Sequence, residues 1–179
     1  MRLFSAIAVP DEVARPLSYL AGGLTEARWV EPTDYHVTLG FFGEVERPVA
    51  EELAAALDEI AVAPIDLHLT NLHVFGAGKP HAIVALVERS PALLALEARH
   101  RAIANRLGVR GDNRRFTPHV TLARLKRTSA ADVAAWVSTR NTLAAPSWRA
   151  EAFHLYSSRT SRGGGPYLIE ESFRLAAAV

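Results

Sequence analysis

The sequence contains one tetrapeptide twice, His36-Val37-Thr38-Leu39 and His119-Val120-Thr121-Leu122. The copies are 83 residues apart, near the centre of each half of the chain. Their surroundings, Tyr-His-Val-Thr-Leu-Gly-Phe-Phe and Pro-His-Val-Thr-Leu-Ala-Arg-Leu, read as strands. Alternate side chains of a strand share a face. His36 and Thr38 therefore project together, and Val37 and Leu39 project to the other side; the second copy has the same parity. If a pseudo-two-fold axis relates the halves, two imidazoles and two hydroxyls converge on one groove. An imidazole titrates near pH 6.5, so one copy can serve as base while the other serves as acid. That pair suits in-line displacement at phosphorus. One histidine deprotonates water, the other protonates the leaving alkoxide, and the threonines hold the phosphoryl oxygens. The chemistry needs no metal or other cofactor, and two histidines alone fall short of a first shell of three or four ligands. A single His-x-Thr in a strand would mean little; an identical pair in matching contexts is far more specific.

These motifs need strands to carry them. The pattern predicts strands at 2–9, 28–31, 35–42, 65–75, 81–88, 118–125, 148–157 and 167–175. Helices are expected at 12–24, 48–61, 91–108 and 129–140, with Asp11 as an N-cap, a Thr128/Ser129 cap and Gly108 closing the third helix. Pro16 should kink the first helix or delay its start. Strands in pairs with helices between them indicate α+β with antiparallel pairing. No low-complexity linker divides the chain, so residues 1–179 are read as one domain of two lobes. The segment 159–166, Arg-Thr-Ser-Arg-Gly-Gly-Gly-Pro, reads as a long hairpin loop or a flap beside a site. It lacks the Gly-Lys-Ser/Thr of a phosphate-binding loop.

The chain has 179 residues, of which 49% are hydrophobic and 22% charged, which argues against disorder. Twenty Lys and Arg oppose 19 Asp and Glu, for a formal charge of +1, which excludes a globally basic nucleic-acid binder. The absence of cysteine excludes disulfides, thiol nucleophiles and cysteine-ligated metals. The apolar run Leu3–Val9 is too short for a secretion signal, and no stretch is long enough to span a membrane. We expect a cytoplasmic monomer with no membrane partner.

On its two His-x-Thr motifs the sequence resembles the 2H phosphoesterase superfamily. More closely it is similar to the RNA 2′,3′-cyclic phosphodiesterases, also called 2′–5′ RNA ligases. Supporting residues are Arg2-Leu3-Phe4 with Ala6-Ile7, Trp29-Val30, Gly43-Glu44-Val45, the run from Phe116 through Pro118 to Arg124, and Leu155-Tyr156-Ser-Ser158. The resemblance implies a bilobal α+β fold: a pseudo-two-fold pair of antiparallel sheets, helices outside, and the motif strands at the floor of a central cleft. It implies hydrolysis of a 2′,3′-cyclic phosphate on RNA ends or nucleotides to a 2′-phosphomonoester. It also implies His36 as general acid on the 3′-oxygen, His119 assisting the attacking water, and Arg124 on phosphate. The alternatives are 2′–5′ ligation or cleavage, or a nucleotide-binding module without catalysis.

Charge is segregated. Residues 99–127 hold Arg99, Arg101, Arg106, Arg110, Arg114, Arg115, Arg124, Lys126 and Arg127 against Asp112 alone, a local +8. Residues 44–59 hold six acids against Arg47, a local −5. The first three arginines read as the solvent face of a helix. A guanidinium fork suits phosphate, and Arg124 is the best candidate. It lies five residues after His119, so in an unbroken strand it faces away from the groove. It reaches the groove only if the strand ends, bulges or twists. Phe116 reads either as a base-stacking residue at the rim or as core packing. Tyr156 and Ser158 share a strand face and read either as lining the site or, by preference, as structural. His68, His73, His81, His100 and His154 have no repeated context and read as strand or surface residues.

Overall fold

The structure is a computed structural model, described over residues 1–76, 78–109, 115–141, 147–158 and 167–177. The segment 159–166 and the arginines at 110 and 114 lie outside the described residues. Among the described residues nine strands and four helices follow in the order β1 (Arg2–Ala8), α1 (Asp11–Ser18), β2 (Ala27–Trp29), β3 (His36–Glu44), α2 (Arg47–Asp58), β4 (Ile65–Phe75), β5 (Ala82–Val87), α3 (Pro91–Arg106), β6 (His119–Leu125), α4 (Ala130–Arg140), β7 (Ser147–Ala150), β8 (Ala152–Ser158) and β9 (Tyr167–Arg174). A short 3₁₀ turn, Pro32–Asp34, leads into β3.

The strand order is β7-β4-β5-β6-β3-β1-β8-β9, with β2 added beside β6. Every pairing is antiparallel. The order divides into two four-stranded halves whose inner strands, β6 and β3, carry the two motifs. One register pair joins them, Val37↔Val120, so the two halves form one continuous sheet. The second residue of one motif thus pairs with the second residue of the other. An antiparallel pair about equivalent residues has local two-fold symmetry.

One face of the sheet is the core. Val37, Leu39, Val120 and Leu122 are buried there with Val13 and Leu17 of α1, Leu53 and Leu57 of α2, Leu93 and Leu96 of α3, and Val133 and Trp136 of α4. All four helices therefore cover the same face. The opposite face is left for a site.

Several boundaries differ from the sequence reading. Helix α1 begins at Asp11 with Pro10 as its cap, and stops at Ser18 rather than 24. Gly22 and Gly23 follow at φ +108° and +78°, conformations that glycine adopts without strain. Pro16 lies inside α1. The single strand expected at 148–157 is two strands parted by Glu151. β7 pairs with β4 of one half, and β8 with β1 of the other. Ser129 caps α4 by accepting from the Asp132 amide, and Gly108 follows α3 at φ +64°. Arg99, Arg101 and Arg106 lie on the exposed face of α3, as expected.

His100 is a correction. It is neither a strand nor a surface histidine: it is fully buried on the core face of α3. Its ring packs edge-on against Phe153 at 4.7 Å, and Nδ1–H donates to the Leu96 carbonyl at 2.8 Å. Its Nε2 has no partner. Burial outweighs that bond and lowers its pKa to about 4. The unfolded chain then binds one more proton than the folded chain between pH 6.5 and 4, so stability falls as pH drops through that window. Relative to its value at pH 7, the H100L protein should lose up to about 3 kcal/mol less stability by pH 4 than the parent. Urea denaturation across that range checks this; parallel losses in the two proteins would contradict it.

Candidate active site

The site grows from the Val37↔Val120 pair. Continuing that antiparallel register sets His36 opposite Thr121 and Thr38 opposite His119. Side chains of opposed residues share a face. The two valines are fully buried on the helix side, so both His-Thr pairs occupy the other face. The two-histidine, two-threonine arrangement expected from the repeat is thus set by one backbone register.

Both imidazoles are held alike. His36 Nδ1–H donates to the Asp34 carbonyl at 2.7 Å, and His119 Nδ1–H donates to the Thr117 carbonyl at 2.6 Å. Each acceptor lies two residues upstream of its histidine. A carbonyl only accepts, so each Nδ1 carries the proton. In both residues Nε2 is the nitrogen that can exchange a proton with a ligand.

The strands are not regular, and the irregularity matters. Ser5 pairs with Gly40 but Ala6 pairs with Thr38, which leaves Leu39 as an extra residue in β3. Ile83 pairs with Ala123 but Val84 pairs with Thr121, which leaves Leu122 as an extra residue in β6. Each motif strand thus bulges at the leucine of its own motif. A bulge resets the alternation of faces. In β6 it buries Val120, Leu122, Ala123 and Leu125, and turns Arg124 to the face of His119 and Thr121. The bulge is the condition the sequence set for Arg124 to reach the groove. In β3 it turns Phe41 to the face of His36 and Thr38. Phe41 and Arg124 are equivalent positions, five residues after their histidines. One lobe offers a ring where the other offers a guanidinium.

The surroundings of the histidines differ accordingly. His36 lies among aromatic rings: Phe4 at 5.1 Å, Tyr167 edge-on at 5.4 Å and Tyr156 at 6.0 Å. Phe4 also stacks on Phe41 and Tyr156. Burial lowers the His36 pKa to about 4. The Asp34 carbonyl opposes that shift, and the charges of His119 and Arg124 add to it. His36 is therefore neutral at pH 7 without a ligand, and His119 and Arg124 are close enough to act on it electrostatically. The bond from His119 to Thr117 is exposed to solvent, and the aromatic neighbour of His119 is Phe75, edge-on at 4.9 Å. Burial, with a smaller contribution from the Asp34 carboxylate, pushes the Tyr156 hydroxyl up to about 12, so it stays a neutral donor.

Phe116 is not part of this arrangement; its ring packs half-buried against the core. Tyr156 is buried, but on the site face beside His36, so it lines the site as well as packing it. Phe4, Phe41, Phe75 and Tyr167 were missed from sequence. A signal for two of the aromatic neighbours was present: His73-Val74-Phe75 and His154-Leu155-Tyr156 repeat as His-aliphatic-aromatic, 81 residues apart. Phe75 and Tyr156 occupy equivalent places in β4 and β8, each the second strand from an edge and each against its half's catalytic candidate. Among the described residues no group of three or more His, Asp or Glu is assembled to hold a metal, and no helix is long and apolar enough to cross a membrane.

This architecture has relatives. The chain is 30% identical over 127 residues to an RNA 2′,3′-cyclic phosphodiesterase of Bacillus subtilis, covering 68% of this chain and 69% of that protein. It is 29% identical over 131 residues to a protein of the same name from Archaeoglobus fulgidus, covering 71% and 74%. Among solved structures, a Thermus thermophilus protein superposes with a TM-score of 0.80 at 27% identity over 99% of both chains. Escherichia coli LigT complexed with 3′-AMP superposes with a TM-score of 0.75 at 27% identity over 97% of both. The family model for the 2′-5′ RNA ligase superfamily matches residues 10–162, a span that takes in both His-x-Thr strands and their bulges. The chain belongs to the 2′-5′ RNA ligase superfamily.

Proposed function

We propose that this protein hydrolyses the 2′,3′-cyclic phosphate of RNA ends or nucleotides to a 2′-phosphomonoester, with His36 and His119 as the acid and base. The observation that carries the reading is the Val37↔Val120 register, which sets the two His-Thr pairs crosswise on one face. The relatives named RNA 2′,3′-cyclic phosphodiesterase support the same substrate class.

Water attacks phosphorus and gives its proton to His119 Nε2. The bond from phosphorus to O3′ breaks opposite, and His36 Nε2 gives its proton to O3′. The products are a 2′-phosphomonoester and a free 3′-hydroxyl. Thr38 and Thr121 donate to the non-bridging oxygens, and Arg124 offsets the charge that builds there. His36 must be charged to act as acid, yet it is neutral in the empty site. The phosphate supplies the difference. An anion beside the ring favours the imidazolium and opposes the repulsion from His119 and Arg124. The acid is thus charged only when there is a leaving group to protonate.

Four outcomes follow. H36A and H119A should each lower kcat by about 10² to 10⁴, the usual worth of a general acid or base. T38V and T121V should lose about tenfold to a hundredfold, as expected for one hydrogen bond to a charged oxygen. The parent's turnover should persist in excess EDTA. Normal turnover by both histidine variants would remove the reading, and phosphorus NMR of the products separates hydrolysis from 2′–5′ joining or cleavage. By proton NMR, His36 should titrate near pH 4 in the ligand-free protein, and saturating sulfate should move that midpoint upward. A midpoint that ignores sulfate would contradict the charging step.

A further inference from the structure

Beyond the bulge at Leu122, β6 changes neighbours. β3 pairs with it only at Val120, and β2 takes the place alongside the rest of the strand. The Val30 amide donates to the Leu122 carbonyl at 2.9 Å, so β2 is seated on the bulge itself. Its register is Ala27↔Leu125, Arg28↔Arg124, Trp29↔Ala123. Leu125 and Ala123 are core residues, and Trp29 packs against the core. Arg28, between Ala27 and Trp29, is exposed and turned with Arg124 to the site face. Two arginines are thus directly opposite on adjacent strands, their Cα atoms about 5 Å apart.

Like charges directly opposite one another disfavour strand pairing. This strand is nonetheless firmly placed. Trp29 packs on Trp136 at 5.3 Å, Trp136 Nε1–H donates to the Gly22 carbonyl at 2.8 Å, and the Thr128 hydroxyl donates to the Thr25 carbonyl at 2.9 Å. The cationic pair is held on a rigid support. It also has no counterpart in the other lobe: among the described residues no strand flanks β3 as β2 flanks β6, and the position equivalent to Arg124 is Phe41. On β5 the partners of His119 and Arg124 are Leu86 and Ala82, four residues apart, or about 13 Å of strand. Arg124 is near enough to His36 for its charge to act there. Arg28 lies along the same edge of β6 as β3, level with Arg124 and past the one point where β3 pairs.

We propose that Arg28 with Arg124 forms a second phosphate subsite, so that the enzyme prefers substrates carrying another phosphate besides the reacting one. This rests on the proposed function for its substrate class. The second phosphate is either the neighbouring phosphodiester of an RNA end or the 5′-phosphate of a nucleotide. Arg124 bridges the reacting phosphate and the second one, and Arg28 serves the second alone. Arg28 is a binding residue, and its effect falls on substrate choice.

The test is calorimetric titration of the parent, R28Q and R28K with three ligands: adenosine 2′-phosphate, adenosine 2′,5′-bisphosphate, and the dinucleotide adenylyl-adenosine 2′-phosphate. R28Q should weaken a ligand with a second phosphate about tenfold or more and adenosine 2′-phosphate less than threefold, with R28K between. A selective loss on the dinucleotide assigns the subsite to RNA; a selective loss on the bisphosphate assigns it to a nucleotide. Equal weakening of all three, or none, overturns the proposal. Binding is read apart from turnover. If the parent hydrolyses no cyclic phosphate yet Arg28 still discriminates, the catalytic reading falls and the subsite stands. If it hydrolyses them and Arg28 does not discriminate, the subsite alone falls.

Discussion

The backbone pairing of Val37 with Val120 joins the halves of the sheet, and the site depends on it. A strand has two faces, and a one-residue slip would exchange them. With both valines buried under the helices, the register leaves no freedom: His36 meets Thr121 and His119 meets Thr38 on the exposed face. Four groups from distant parts of the chain are aligned by a main-chain contact and by the burial of aliphatic neighbours. The carbonyls of Asp34 and Thr117 complete the alignment by fixing the same tautomer on both rings.

Symmetry supplies two chemically alike histidines, and departures from symmetry give them different surroundings. The paired bulges at Leu39 and Leu122 show the same ring-or-guanidinium choice from opposite sides. Phe41 joins Phe4, Tyr156 and Tyr167 around His36, and burial there keeps that imidazole neutral in the ligand-free protein. Arg124 and β2 put positive charge on the other lobe. On the proposed reading a near-neutral chain needs no basic surface for phosphate, because Arg124 and Arg28 concentrate charge where β2 pairs with β6.

The repeated tetrapeptide made His36, Thr38, His119 and Thr121 legible in sequence, because strand parity alone decides which residues share a face. The α+β class followed from strands in pairs. Arg124 was legible only as a condition, since a bulge is a register event between two strands and leaves no local pattern. Phe41 and the aromatic group around His36 were hidden for the same reason. They come from β1, β3, β8 and β9, which meet only in the folded sheet. The split of the last predicted long strand at Glu151 was equally invisible, because an extended run reads alike whether it serves one half of the sheet or both. His100 was misread because one histidine on a helix carries no signal of its depth.

The central claim is that one phosphate is held between the two lobes by both motifs. A crystal structure of the protein with adenosine 2′-phosphate tests it most directly. The account predicts Nε2 of His36 and of His119, and the hydroxyls of Thr38 and Thr121, all within hydrogen-bonding distance of the same phosphate group. A phosphate held by one motif alone, or bound away from the sheet face that both share, would contradict it.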